Sequence, residues 1–226
     1  LEQLTSGEPR MEVVRLMTKY PQGGERQLIY AVTKRAINSS MLPADVGCVV
    51  DNVETIIHIY DAVVNGRPCI DRVVTVSGDG IAEPGNFKVP LGINQQELIK
   101  AAGGLKGAPE KVISGGPMMG FAMFTLDVPV TKTSSSILCL TKDEVAMYEP
   151  AACSNCGRCI DAGPSRLIPS RLADSAERHD EAAFEKEFGV ECMECGSCSY
   201  VCPAKRQLKQ AISSMRKTVL ANRKKK

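Results

Sequence analysis

Cys153, Cys156 and Cys159 sit three residues apart, and Cys192, Cys195 and Cys198 repeat that spacing before Cys202-Pro203 closes the second run as CxxCxxCxxxCP. Thiolates at i, i+3 and i+6 let one tight turn wrap three corners of an iron–sulfur cubane, and the proline after the fourth cysteine redirects the chain. Structural zinc sites use two separated ligand pairs that close a tetrahedron, and the two histidines, His58 and His179, lie in neither run. Crowded thiols in a reducing compartment read as metal ligands rather than disulfides. The pattern points to two iron–sulfur clusters and one-electron chemistry. The remaining thiols, Cys48, Cys69 and Cys139, are scattered and read as small buried hydrophobes.

In two-cluster ferredoxins the fourth cysteine of each run ligates the other cluster. On that rule cluster I takes Cys153, Cys156, Cys159 and Cys202. Cluster II takes Cys192, Cys195, Cys198 and the residue before Pro164, which is Gly163. Glycine cannot coordinate through a side chain. Four outcomes stay open: a three-iron cluster, a four-iron cluster whose odd iron takes water or a carboxylate such as Asp161, a labile second site, or a sequence variant. Two clusters interleaved in this way lie close enough for fast electron tunnelling, so the region reads as a wire.

The elements that must position these residues follow from periodicity. Met11 to Met17 and the apolar run Val46 to Val50 read as strands. A turn at Pro21 to Gly24 leads into a helix over 25–35, and Asp51 with Glu54 reads as a reciprocal cap on a helix whose apolar face is Val53, Ile56, Ile57, Tyr60, Val63 and Val64. From Arg72 the period drops to two, with strands at Val73–Val76, Phe87–Val89 and Lys111–Ile113 around a helix over 94–102. That is a compact α+β unit. Gly78-Asp79-Gly80 and Gly115 to Gly120 read as its turns, since neither has dinucleotide-loop spacing ahead of a helix. Val128–Val130 and Ile137–Leu140 are further candidate strands. The remainder is helical, with 167–188 as its longest helical stretch.

Composition supports a folded chain of one or two small domains: 226 residues, 43% hydrophobic and 24% charged. The longest apolar runs fall short of the roughly 18–20 residues a spanning helix needs, and the N-terminus lacks signal-peptide blocks, so a cytosolic location is expected. A chain beginning at Leu1 is expected to be processed, trimmed or part of a longer protein. Charge is split, because the nine basic residues after Cys202 face no acid there. With Leu208, Ile212, Met215 and Val219 at helical spacing, that tail reads as an amphipathic helix ending in Arg223 to Lys226. Such a helix is either solvated or docks on anionic lipid or an acidic partner. Nucleic acid is not expected, because no aromatic residue sits among those charges to stack on bases.

The stretches KYPQGGERQLIYAV (19–32), PADVGCVVDNVETI (43–56), RVVTVSGDGIAEPGNFKVPLG (72–92), KVISGGPMMGFAM (111–123) and ECMECGSCSYVCPAK (191–205) resemble the RnfC family of the Rnf electron-transport complex, across essentially the whole chain. That family is related to the flavin-bearing NADH-oxidising subunit of respiratory complex I. The resemblance implies an α+β chain in four parts. These are a remnant of an α/β flavin/NADH-binding domain (1–69), an SLBB β-grasp-like domain (70–125), connecting strands (126–149) and an all-α dicluster ferredoxin domain with the basic helix (150–226).

It also implies the function. The chain would be a peripheral subunit on the cytoplasmic face of the membrane, in an ion-translocating NAD:ferredoxin oxidoreductase. It would carry electrons between NADH, FMN and two 4Fe-4S clusters, with other Rnf subunits and ferredoxin as partners and no transmembrane segment of its own. The alternatives are a non-catalytic ferredoxin-like relay or a soluble RnfC-like reductase of the kind associated with proline reductase. By motif match Tyr20, Gly23, Glu25 and Asn52 would approach the flavin or nucleotide, although the upstream glycine-rich loop of relatives is absent from this sequence. No catalytic side chain is named, because the redox chemistry belongs to the cofactors.

Overall fold

The computed structural model describes residues 1–224, so the last two lysines of the basic tail, Lys225 and Lys226, lie outside the described residues. In chain order the helices are α1 (Glu2–Thr5), α2 (Glu25–Thr33), α3 (Val53–Val64), α4 (Gln95–Ala101), α5 (Arg158–Ala162), α6 (Pro169–Glu177), α7 (Glu181–Lys186), α8 (Ser197–Tyr200) and α9 (Leu208–Arg223). The strands are β1 (Asp71–Ser77), β2 (Gly85–Pro90), β3 (Lys111–Ser114), β4 (Phe121–Met123) and β5 (Ser136–Leu140). The class is α+β.

Alternation along β1 buries Val74 and Val76 on one face, as a half-covered strand requires. The sheet runs β2-β1-β5-β3-β4, with β5 parallel to β1 and antiparallel to β3. Helix α4 is capped by the Asn94 side chain, which accepts from the Gln96 amide at 2.8 Å. It lays Leu98 and Ile99 on that face, where Ile81, Ala102, Ile137 and Cys139 complete the core. At the Gly78 turn glycine is unavoidable. Its φ is +111°, and a Cβ there would stand 2.0 Å from the Cys139 carbonyl oxygen.

A second core forms where α6 and α9 pack together, enclosing Leu172, Ala173, Phe184, Val190, Leu208, Ile212, Met215 and Val219. This core carries the cysteine loops. The stretch over 167–188, helical in its pattern, splits into two helices, because His179 turns left-handed (φ 56°) and Asp180 caps α7 through the Ala183 amide at 2.9 Å.

The N-terminal segment departs most from expectation. Met11–Met17 and Val46–Val50 form no strand: the first has no pairing neighbour among the described residues, and the second is broken by a 3-10 turn (Pro43–Val46) and a left-handed Gly47. Helix α3 forms over the expected residues, yet none of them is buried, and Val53, Ile57, Tyr60 and Val63 are exposed. Its cap is Asn52 rather than Asp51, because the Asn52 oxygen accepts from the Glu54 amide at 2.9 Å. The Glu54 carboxylate instead reaches β1, accepting from the Val73 amide at 2.7 Å and pairing with Arg72 at 3.0 Å.

Candidate metal centre

The two cysteine loops are one backbone used twice. At a constant offset of 39 residues, Cys153, Cys156, Cys159 and Gly163 correspond to Cys192, Cys195, Cys198 and Cys202. The dihedrals follow the same offset. Asn155 and Glu194 are left-handed (φ 53° and 59°), Gly157 and Gly196 are left-handed (76° and 82°), and so are Arg166 and Lys205 (52° and 53°). The first two left-handed residues of each loop fall between its cysteines and the third follows the run, and the glycine after the second cysteine starts a short helix, α5 or α8, that carries the third.

Cys153, Cys156, Cys159 and Cys202 line one cavity of about 400 Å3. This is the set expected for cluster I, with Cys202 crossing over from the second run. Sulfurs around a single tetrahedral zinc sit about 3.8 Å apart, given zinc–sulfur bonds of about 2.3 Å. Among the described residues no three Cys, His, Asp or Glu side chains converge closely enough to hold one ion. A wide four-thiol cavity fits a polynuclear group better than an ion. The ten cysteines are all free thiols.

The two loops differ in environment. Cys153 and Cys156 are exposed, and the Arg158 amide holds the Cys156 thiol below its ordinary range. Cys195 and Cys198 are buried. Burial first, and the Cys192 and Cys195 thiols next, push Cys198 up to about 12, so thiolates there need positive iron to persist. The Glu194 amide points at the Cys192 sulfur at 3.4 Å, the kind of N–H···S contact that tunes a cluster.

Two acids that carried no sequence signal hold the second loop. Glu191 accepts from Arg26 at 3.0 Å, from the Ser39 amide at 2.8 Å and from the Ser39 hydroxyl. Glu194 accepts from Ser213 at 2.8 Å and Arg216 at 3.0 Å, both on α9. Tyr20 joins them, its hydroxyl donating to the Cys195 carbonyl at 2.7 Å.

Of the residues matched to a flavin site, Tyr20 therefore meets the second cysteine loop. Asn52 caps α3, while Gly23 and Glu25 lie at the start of α2. The four line neither cavity at the cysteine domain. The Asp161 side chain is 84% exposed beside Arg166. Cys139 is buried as expected, whereas Cys48 and Cys69 are only half-buried.

Three family models match in sequence: the Nuo51 FMN-binding domain over residues 1–61, the SLBB domain over 73–122 and the 4Fe-4S dicluster domain over 152–206. The chain is 42% identical over 218 residues to the C subunit of the Na(+)-translocating ferredoxin:NAD(+) oxidoreductase complex of Acetobacterium woodii, covering 96% of this chain and 49% of that protein. The chain belongs to the RnfC family. A second relative, the C subunit of the proton-translocating ferredoxin:NAD(+) oxidoreductase complex of Clostridium ljungdahlii, is 48% identical over 80% of this chain and 40% of its own length. The C subunit of the ion-translocating oxidoreductase complex of Pseudomonas aeruginosa is 42% identical over 74% of this chain and 22% of its own length. The chain thus spans half or less of the length of these RnfC proteins. Its three matched regions follow the order flavin-type, SLBB and dicluster.

Part of the basic tail is used within the chain. Helix α9 buries Leu208, Ile212, Met215 and Val219. Arg206 pairs with Asp174 and Glu177, Arg216 with Glu194, and Arg223 with Glu185. No described helix is long and apolar enough to cross a membrane.

Proposed function

We propose that this chain carries electrons within a membrane-associated ferredoxin:NAD oxidoreductase complex. Cys153, Cys156, Cys159 and Cys202 would hold one iron–sulfur cluster, and Cys192, Cys195 and Cys198 the other. When bound, such clusters supply one-electron redox steps without proton chemistry. The single observation that carries the reading is where the loops sit. The second loop is fastened to the flavin-type segment through Tyr20, Arg26 and Ser39, while the first borders an open cavity with two exposed cysteines.

That arrangement gives a direction in space. The second site faces the flavin side and the first faces solvent, where a soluble donor or acceptor such as ferredoxin can approach. NADH, FMN, the other Rnf subunits and the cytoplasmic membrane face belong to the same proposal. The relay role is assigned to this chain and hydride chemistry to the whole protein. Relatives named for sodium and for proton translocation match this segment comparably well, so the match does not distinguish the coupling ion.

Anaerobic reconstitution with iron and sulfide tests the reading. Iron and labile sulfide in near-equal amounts, with two reducible paramagnetic signals, are expected. A colourless chain that takes up zinc instead would refute it.

A further inference from the structure

We infer that the second site is held by three protein thiolates only, with its fourth corner open to a small exchangeable ligand of the thiolate class from solution; this rests on the electron-carrier reading above. Gly163 is the equivalent of Cys202 in its backbone hydrogen bonds. The Gly163 amide donates to the Ile160 carbonyl at 3.2 Å as the Cys202 amide does to Ser199 at 3.3 Å. The Gly163 carbonyl accepts from the Arg166 amide at 3.2 Å as that of Cys202 does from Lys205 at 3.1 Å. The turn after Gly163 is also anchored beside the second site, because the Ser165 hydroxyl donates to the Glu191 carbonyl, one residue before Cys192, at 3.5 Å.

The backbone conformation at this position does not require glycine. Its dihedrals are φ −79° and ψ 124°, open to any residue. A Cβ built there would sit tightly against the Cys159 carbonyl oxygen at 3.3 Å, so that turn must give by a few tenths of an ångström, and in ordinary contact with that of Ile160 at 3.5 Å. The geometry that delivers a fourth ligand is intact, and the sulfur alone is missing.

Among the described residues no neighbouring donor takes its place. Asp161 points to solvent. The Glu191 carboxylate is engaged by Arg26 and Ser39, and that of Glu194 by Ser213 and Arg216. The Tyr20 hydroxyl donates to the Cys195 carbonyl. None of these groups is left over to serve as the remaining corner. Iron that carries sulfide and thiolate on its other sides favours another soft donor, and a small thiolate fits where a cysteine would.

The test compares the wild-type chain, Gly163→Cys and Gly163→Ala after anaerobic reconstitution, by iron content, Mössbauer and low-temperature EPR spectra, with and without excess 2-mercaptoethanol. Equal iron content in all three is expected, with the thiol shifting the signal of one site in wild type and Gly163→Ala and leaving Gly163→Cys unmoved. An iron-replete wild type that ignores the thiol overturns this inference alone. A wild-type site one iron short, completed only in Gly163→Cys, also overturns it, in favour of a three-iron group. A chain that takes up no iron overturns the electron-carrier reading with it.

Discussion

Gly189 and Gly24 separate two kinds of crowding at single residues. A Cβ on Gly189 would stand 2.3 Å from a ring carbon of Phe184, a side chain with no exposed surface at the centre of the helical core. A Cβ on Gly24 would stand 2.5 Å from the end of the Met193 side chain, which has rotamers to spare. Gly189→Ala is therefore expected to cost about 1–3 kcal/mol through overpacking and Gly24→Ala less, read as a lowered denaturation midpoint of the reconstituted chain. Equal midpoints for Gly189→Ala and wild type would show that the ring can move. Residue-level legibility splits along the same line. The seven cysteines proposed as ligands and the odd Gly163 stand out in sequence because covalent spacing along the chain carries the motif. Glu191 and Glu194 are not, because an acid in a loop looks alike whether it faces water or, as Glu191 does, clamps a partner more than a hundred residues away.

At the scale of elements, local signals succeed where the element is stabilised locally. The helix expected over 94–102, the period of β1 and the apolar stripe of α9 each survive in the structure. Met11–Met17 and Val46–Val50 fail because a strand needs a hydrogen-bonded neighbour that no local pattern reveals. β5 shows the converse. Its sequence position suggests a connecting strand, yet it lies between β1 and β3 at the middle of the sheet. Its far end is held electrostatically, since Lys111 at the start of β3 pairs with Asp143 just after β5 and keeps that carboxyl below the usual carboxylate range. A carboxylate depressed in the folded state stabilises fully above its ordinary pKa of about 3.9, and that contribution is lost as pH falls toward the lower folded value. Asp143→Asn is expected to remove about 1 kcal/mol at pH 7 and much less at about pH 3. Denaturant titrations of both proteins at the two pH values measure this, and an equal loss at both would assign the effect to packing instead.

Across the whole molecule, the two sites differ in what holds them. The second loop is tied to the N-terminal segment by Tyr20 and Glu191 and to α9 by Glu194, whereas the first loop presents exposed thiols to an open cavity. The order of matched regions along the chain is legible from sequence, but this contact is not: the motif around Tyr20 suggests a flavin neighbour, and its use on the Cys195 carbonyl depends on a fold that joins positions 175 residues apart. If the second loop holds a cluster, that contact is expected to make it the site that senses the flavin-type segment. Tyr20→Phe removes a hydrogen bond worth about 1 kcal/mol that orients a ligand-loop peptide. Its effect on that site's midpoint potential is bounded at about 40 mV for one electron, and the first site should stay unchanged. Glu191→Gln, which weakens the other tie, is expected to move the same signal. Redox titration followed by EPR resolves the two sites. If both signals shift together, or the exposed site moves and the buried one does not, the flavin-type segment does not communicate with the wire through the second loop, and electrons pass the two sites in a different order.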